Sequence, residues 1–201
     1  MSASTWHRTR DAVGCWSIEL GPPPDGELRT VTDTALGAAR IATNAFAGLC
    51  SAESAHASWE SGEQVVEYRA LELNADGSVV LPPDAGIVTS LVIRYDVLIE
   101  LGDELVTVPS AAEWRFAALL APPEEGLAVD DSSVSFCVET DAWLPSTGAA
   151  QSNEPVARAN APRLEAALRR WEHLTGKPIV DFVSNAYADA VARYGFTVDQ
   201  T

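Results

Sequence analysis

Glu139 and Asp141 stand two residues apart in a segment that alternates polar and apolar side chains from 133 to 144. On an extended chain this spacing puts both carboxylates on one face, roughly 7 Å apart along the strand. Such a pair could serve acid–base chemistry or share a divalent ion. Trp143 continues the register, so the alternation predicts that it shares the outward face with both acids. An exposed aromatic beside carboxylates is the composition of an interface anchor with an electrostatic collar. Acidic pairs on solvated sheet faces are common, so docking is preferred to catalysis for this trio.

Other chemistry finds little footing. His7, His56 and His173 are dispersed, and no paired histidine spacing exists. Asn74-Ala-Asp-Gly77 has the composition of a turn and lacks the remaining ligands of a calcium loop. Gly176-Lys177 resembles the end of a phosphate-binding loop, but Trp171 replaces the first glycine and Pro178 the hydroxyl residue. A helix stop explains it better. There is no GxGxxG or GxSxG pattern. Leu144-Pro-Ser-Thr-Gly148 spells the sortase pattern, yet polar residues follow it where an apolar segment is required. No metal ligand set, cofactor site or catalytic residue is assigned. Cys15, Cys50 and Cys137 are odd in number, far apart and outside any CxxC pair, which predicts reduced thiols packed as small apolar groups.

The elements that would position these residues follow from periodicity. Trp16, Ile18 and Leu20 alternate with polar neighbours as a first strand, with Val13 as its earliest start, which Gly21-Pro-Pro-Pro-Asp-Gly26 ends. Thr30 with Asp33 suggests a helix start, and Leu36, Ala39, Thr43, Phe46 and Cys50 fall on one helical face. Strand composition returns over 57–60, 64–73 and 79–81. The segment 86–101 carries apolar side chains at nearly every odd position and predicts a long half-buried strand with the odd set inward. Gly102-Asp103 offers a hairpin turn to 105–108. Residues 110–120 read as strand or short helix, with strand favoured by the neighbours. Segment 145–155 is linker-like. Two helices are expected after it. Asn160 would cap the first, Leu164, Leu168 and Trp171 would line it, and Gly176 would stop it. The second would run over 179–194, with Phe182, Val183, Ala186, Ala190 and Tyr194 as its stripe.

The fold class expected is one α+β domain over 1–201, with residues 1–12 loose. Its sheet is mostly antiparallel, and an N-terminal helix and two C-terminal helices pack on one face. The other face is left to water or a partner. Asp96 and Arg94 fall on this outward face, with Glu139, Asp141 and Trp143.

Charge supplies the functional direction. The formal net charge is −16. Residues 60–154 hold eighteen acids against Arg69, Arg94 and Arg115, a local net of −15, while the C-terminal helical segment is nearly neutral. A chain this acidic repels phosphate backbones and anionic membranes. Concentrated negative potential instead steers a basic partner. The expectation is a non-enzymatic acidic protein that binds a basic protein partner through Glu139, Asp141, Trp143, Asp96 and Arg94. The absence of an apolar signal-like run near Arg8 and Arg10, together with the unpaired cysteines, points to the cytoplasm. Immunity proteins that neutralise co-encoded bacterial toxins have this general look, an analogy of composition and architecture with no motif behind it. The alternative expectation is a small-molecule pocket, or an enzyme of bacterial secondary metabolism, between sheet and helices, lined by Tyr68, Tyr95, Trp114 and His173. The oligomeric state is not specified by the sequence.

Overall fold

The computed structural model describes residues 12–22, 28–61, 64–120, 129–145, 152–184 and 187–197. The expected loose N-terminus with His7, the Pro-rich stop at 23–26, Glu124 and Glu125, most of the 145–155 linker, the last three residues of Leu144–Gly148, and Ala186 lie outside them.

The first element among the described residues is strand β1, Gly14–Glu19, followed by helix α1, Leu28–Ala45. Then come β2 (Cys50–Ser61), β3 (Gln64–Leu73), β4 (Val79–Val80), β5 (Ile87–Leu101), β6 (Glu104–Leu120) and β7 (Val129–Val138). Helix α2, Glu154–Thr175, precedes the short strand β8, Asp181–Val183. A small hairpin of β9 (Val191–Ala192) and β10 (Gly195–Phe196) closes the described chain. Eight strands form one sheet in the order β4-β3-β2-β5-β6-β7-β1-β8, every neighbouring pair antiparallel. The architecture is α+β, as expected.

Both helices cover the face that carries the odd residues of β5. Leu91, Ile93, Tyr95, Val97 and Ile99 are buried there with Trp114, Phe116, Phe136, Trp16 and Ile18. The buried stripe of α1 is Val31, Ala35, Ala38, Ala39, Ala42 and Ala45, with Leu36 and Thr43 only half-buried. Small side chains let this helix approach the sheet closely. The expected helix start at Thr30 is one turn's fraction late: α1 begins at Leu28, and Thr30 offers its carbonyl to the Thr34 hydroxyl inside the helix. From α2, Leu164, Leu168 and Trp171 complete the core. Phe46, just past α1, stacks on Phe136 with ring centroids 3.8 Å apart and lies 5.7 Å from Trp171.

Residues 104–120 form one strand, which resolves the ambiguity at 110–120. Its register on β5 shifts between the Tyr95↔Ala112 and Val97↔Val108 pairs, so Asp96 faces an outward loop of β6 at 109–111. Pro109 sits in this bulge, where a residue without an N–H is tolerated inside a sheet. Ser110 takes a left-handed φ of 52°, and its N–H donates to Asp96 Oδ1 at 2.9 Å.

Three further expectations about local structure change. The strand expected over 133–144 ends at Val138, and a 3-10 turn, Asp141–Trp143, follows. The Thr140 hydroxyl accepts from the Ala142 N–H, and the Asn153 amide donates to the Asp141 and Leu144 carbonyls at 3.0 Å each. This turn ends the period-two alternation and swings Trp143 inward. Secondly, the helix expected over 179–194 is not formed in the described residues. Pro178 cannot continue α2, the β-branched run behind it favours extended backbone, and the free edge of β1 offers partners. The Val180 N–H donates to the Ser17 carbonyl, and β8 pairs with β1 at Cys15, Trp16 and Ser17. Asn160, thirdly, is no cap. It lies inside α2, fully buried, with Oδ1 accepting from the Glu100 N–H and Nδ2 donating to the Glu100 carbonyl.

The cysteines depart furthest from expectation. Cys15 and Cys137 are cross-strand partners on β1 and β7, joined by a disulfide. Cys50 alone remains a free thiol, and burial drives its pKa far up, which makes it inert.

Candidate partner-binding face

The face of the sheet opposite the helices reads as two adjoining rows. One runs Ser54–Arg94–Glu113–Cys137–Cys15–Val183 across five strand pairings; the other runs His56–Val92–Arg115–Ser135–Ser17–Asp181. Ser54, Ser135 and Ser17 flank the centre of this face, where an ion-pair network stands. Arg94 Nη1 donates to Glu139 Oε1 at 2.7 Å, and Arg94 Nη2 meets Glu113 Oε2 at 2.8 Å. Arg115 Nη2 takes the other oxygen of Glu113 at 2.7 Å. Burial works against the Arg94 charge, but the hydrogen bond to Glu139 and the charges of Glu113 and Glu139 outweigh it and hold its pKa above the ordinary arginine value.

The sequence candidates separate accordingly. Arg94 and Glu139 do meet on the outward face. Asp96 shares that face one step along β5, where it caps the bulge and, through Ser110, neighbours Glu53. Asp141 and Trp143 do not join them: Asp141 is buried and Trp143 is completely so. The outward trio of Glu139, Asp141 and Trp143 is therefore not assembled. Glu113 and Arg115 complete the network instead. Their spacing, two apart and alternating with Trp114 and Phe116, carried the signal once 110–120 is read as strand.

The four residues expected to line a pocket are not brought together. Tyr95 and Trp114 are sealed in the packed layer between sheet and helices, where burial raises the Tyr95 pKa and its hydroxyl lies 3.5 Å from that of Thr43. Tyr68 is on the opposite face, 61% exposed, its ring 5.2 Å from that of His56. His173 is exposed on α2. Among the described residues, no group of three or more His, Cys, Asp or Glu side chains is placed to hold a metal ion. No helix among them is long and apolar enough to cross a membrane.

The bases of the acidic segment are already engaged. Arg94 and Arg115 are committed to Glu113 and Glu139, and Arg69 lies over the Trp59 ring at 5.8 Å. Glu67, Glu72, Asp84, Asp103, Glu104, Asp130 and Asp131 have no described base within ion-pair distance. Negative potential is thus carried by strand edges and hairpin ends around a locally neutralised centre.

No protein-family model matches the chain, and no curated protein is significantly similar to it.

Proposed function

We propose that this protein is a non-enzymatic acidic binding protein whose sheet docks a basic protein partner. The observation that supports this best is the internal use of the arginines of 60–154, which leaves the carboxylates at the sheet margins uncompensated. The interface residues expected from sequence are revised with it. Arg94 and Glu139 stiffen the face as an ion pair, Asp96 shapes the bulge, and the marginal acids supply the attraction. Steering by such a field falls as salt rises. An immunity-type role, neutralising a basic toxin, is one form of this reading.

The cytoplasmic location expected from unpaired cysteines loses that support, because disulfides such as Cys15–Cys137 persist chiefly in oxidising compartments.

The test is affinity capture from lysate and culture fluid of the source organism at low and high salt, with identification of what is retained. A basic protein held at low salt and released at high salt is the expected result. Retention of only neutral or acidic proteins, or of none, overturns the reading.

A further inference from the structure

The margin of the sheet at β3 is only partly covered. β3 runs from Gln64 to Leu73, but its outer neighbour β4 pairs with only two of these residues, Glu72↔Val80 and Leu73↔Val79. The reason is local. The Asn74 N–H donates to the Ser78 carbonyl, which marks Asn74–Ser78 and, two residues on, Glu72–Val80 as hydrogen-bonded pairs. Ala70 is next in that phase, so its N–H and C=O point to the same side. The residue opposite it is Pro82, which has no N–H, and Pro82-Pro83 turns away, with the Ala85 N–H bonding back to the Pro82 carbonyl. No backbone hydrogen bond among the described residues reaches Ala70 from that side.

The gap forms a groove of about 310 Å³ lined by Arg69, Ala70, Leu71, Glu72 and the 80–83 segment. Val80, in its lining, is 39% exposed, and farther along β3, outside the groove, Val65 and Tyr68 are both more than 60% exposed. Tyr68, in a left-handed conformation with φ 50°, marks a bulge where its N–H turns inward to Ser58 Oγ. Its ring is thereby aimed across the outer face onto His56. The surroundings are acidic: described residues in 60–84 include Glu60, Glu67, Glu72, Asp76 and Asp84 against Arg69 alone.

We infer that the β3 edge binds an extended, lysine- or arginine-bearing segment of a partner protein, which adds as a further strand beside Ala70 and packs apolar side chains on Val65, Tyr68 and Val80. Main-chain bonds supply affinity in this mode, and alternate side chains supply selectivity. A second copy of this chain is a poorer occupant, because it would set Glu67 and Glu72 against their own duplicates. The inference rests on the reading of the protein as a binder of basic partners and names the surface used.

The probe is a short labelled peptide of alternating valine and lysine, titrated by fluorescence anisotropy into the full chain. Binding should weaken at least about tenfold in Ala70→Pro, which removes one outward donor at an edge where proline is tolerated. The charge-reversed pair Glu67→Lys with Glu72→Lys should show a comparable loss. A peptide N-methylated at alternate amides should fail to bind the unaltered chain, and this arm stands even if Ala70→Pro does not fold. Equal binding of methylated and unmethylated peptides overturns the inference. So does a concentration-dependent dimer in the unaltered chain that Ala70→Pro dissociates, since a second copy would then fill the edge. A captured basic partner that binds Ala70→Pro undiminished defeats the edge while leaving the proposed function standing. Absence of any basic partner defeats the function, whatever the peptide does.

Discussion

Cys15 and Cys137 face one another across β1 and β7, Cα atoms 4.1 Å apart, and their disulfide closes a loop with a sequence separation of 122. The Leu20 N–H donates to the Ser132 carbonyl, which makes alternate pairs from Leu20–Ser132 the hydrogen-bonded ones and Cys15–Cys137 a narrow, non-hydrogen-bonded pair. That is the site where two cysteines on adjacent antiparallel strands come closest. Cross-linking so long a loop constrains the unfolded chain. Cys15→Ser with Cys137→Ser should therefore lower unfolding free energy by about 2–5 kcal/mol, measured by urea denaturation. Thiol titration of the denatured chain should find one thiol before reduction and three after it.

Trp143 is fully buried beneath the 3-10 turn rather than presented to a partner. Trp143→Ala should cost about 3–5 kcal/mol of stability. Affinity per folded molecule for a captured partner should be unchanged. A large loss of affinity with stability intact would return Trp143 to the interface.

Asn160 is fully buried where α2 crosses β5 and holds both backbone groups of Glu100, while Arg163 Nη1 donates to Asn160 Oδ1 at 2.9 Å and to the Leu98 carbonyl at 2.7 Å. Asn160→Leu keeps similar bulk but strands these groups. It should destabilise by about 1–3 kcal/mol, read from the thermal midpoint, and should raise amide exchange at Glu100.

Glu172 gathers the C-terminal segment onto α2. It accepts from the Ile179 N–H at 3.1 Å, from Arg193, and from the Tyr194 hydroxyl, whose ring also lies under Arg169 at 4.0 Å. Burial pushes its pKa up, but the bonds from Tyr194, Arg193 and Ile179 outweigh that and hold it below the ordinary glutamate value. A carboxylate depressed in the folded state stabilises above its unfolded pKa and loses that contribution as pH falls through the folded pKa. Glu172→Gln should accordingly be less stable than the parent at neutral pH. The gap should narrow on acidification below the usual carboxylate range, as shown by unfolding midpoints across pH.

The ion pairs of the outer face should couple. Glu113 is 8% exposed and serves both Arg94 and Arg115. Glu113→Ala leaves two guanidinium groups short of a partner and should cost about 1–3 kcal/mol, between the surface and buried limits. In a double-mutant cycle Arg94→Ala should recover part of that loss; strict additivity would show that the network holds nothing together.

Much of the fold was readable because burial imposes a period. The odd residues of 91–99 and the Leu164, Leu168, Trp171 stripe fall where expected, since each lies in a long element with one dry face. The failures occur where period gives way to local or distant partners. At Trp143 a three-residue turn changed the phase, and nothing in the preceding alternation signals its end. At 179–194 the helical spacing of apolar residues was real, yet the vacant edge of β1 and the preceding proline gave extended backbone the better hydrogen bonds.

Charge belongs to the first kind of knowledge and its placement to the second. The net −15 of residues 60–154 is fixed by composition, and it holds in any fold. Which carboxylates are neutralised is not. Arg94 is 19 residues from Glu113 in sequence and 45 from Glu139, and only the β5–β6–β7 register brings the three together. The β1–β7 register likewise joins Cys15 to Cys137, and the Pro82-Pro83 turn leaves the β3 edge open. Periodicity reports which side of an element is dry; long-range pairing decides who stands beside whom, because its hydrogen bonds and ion pairs form between residues the chain itself holds far apart.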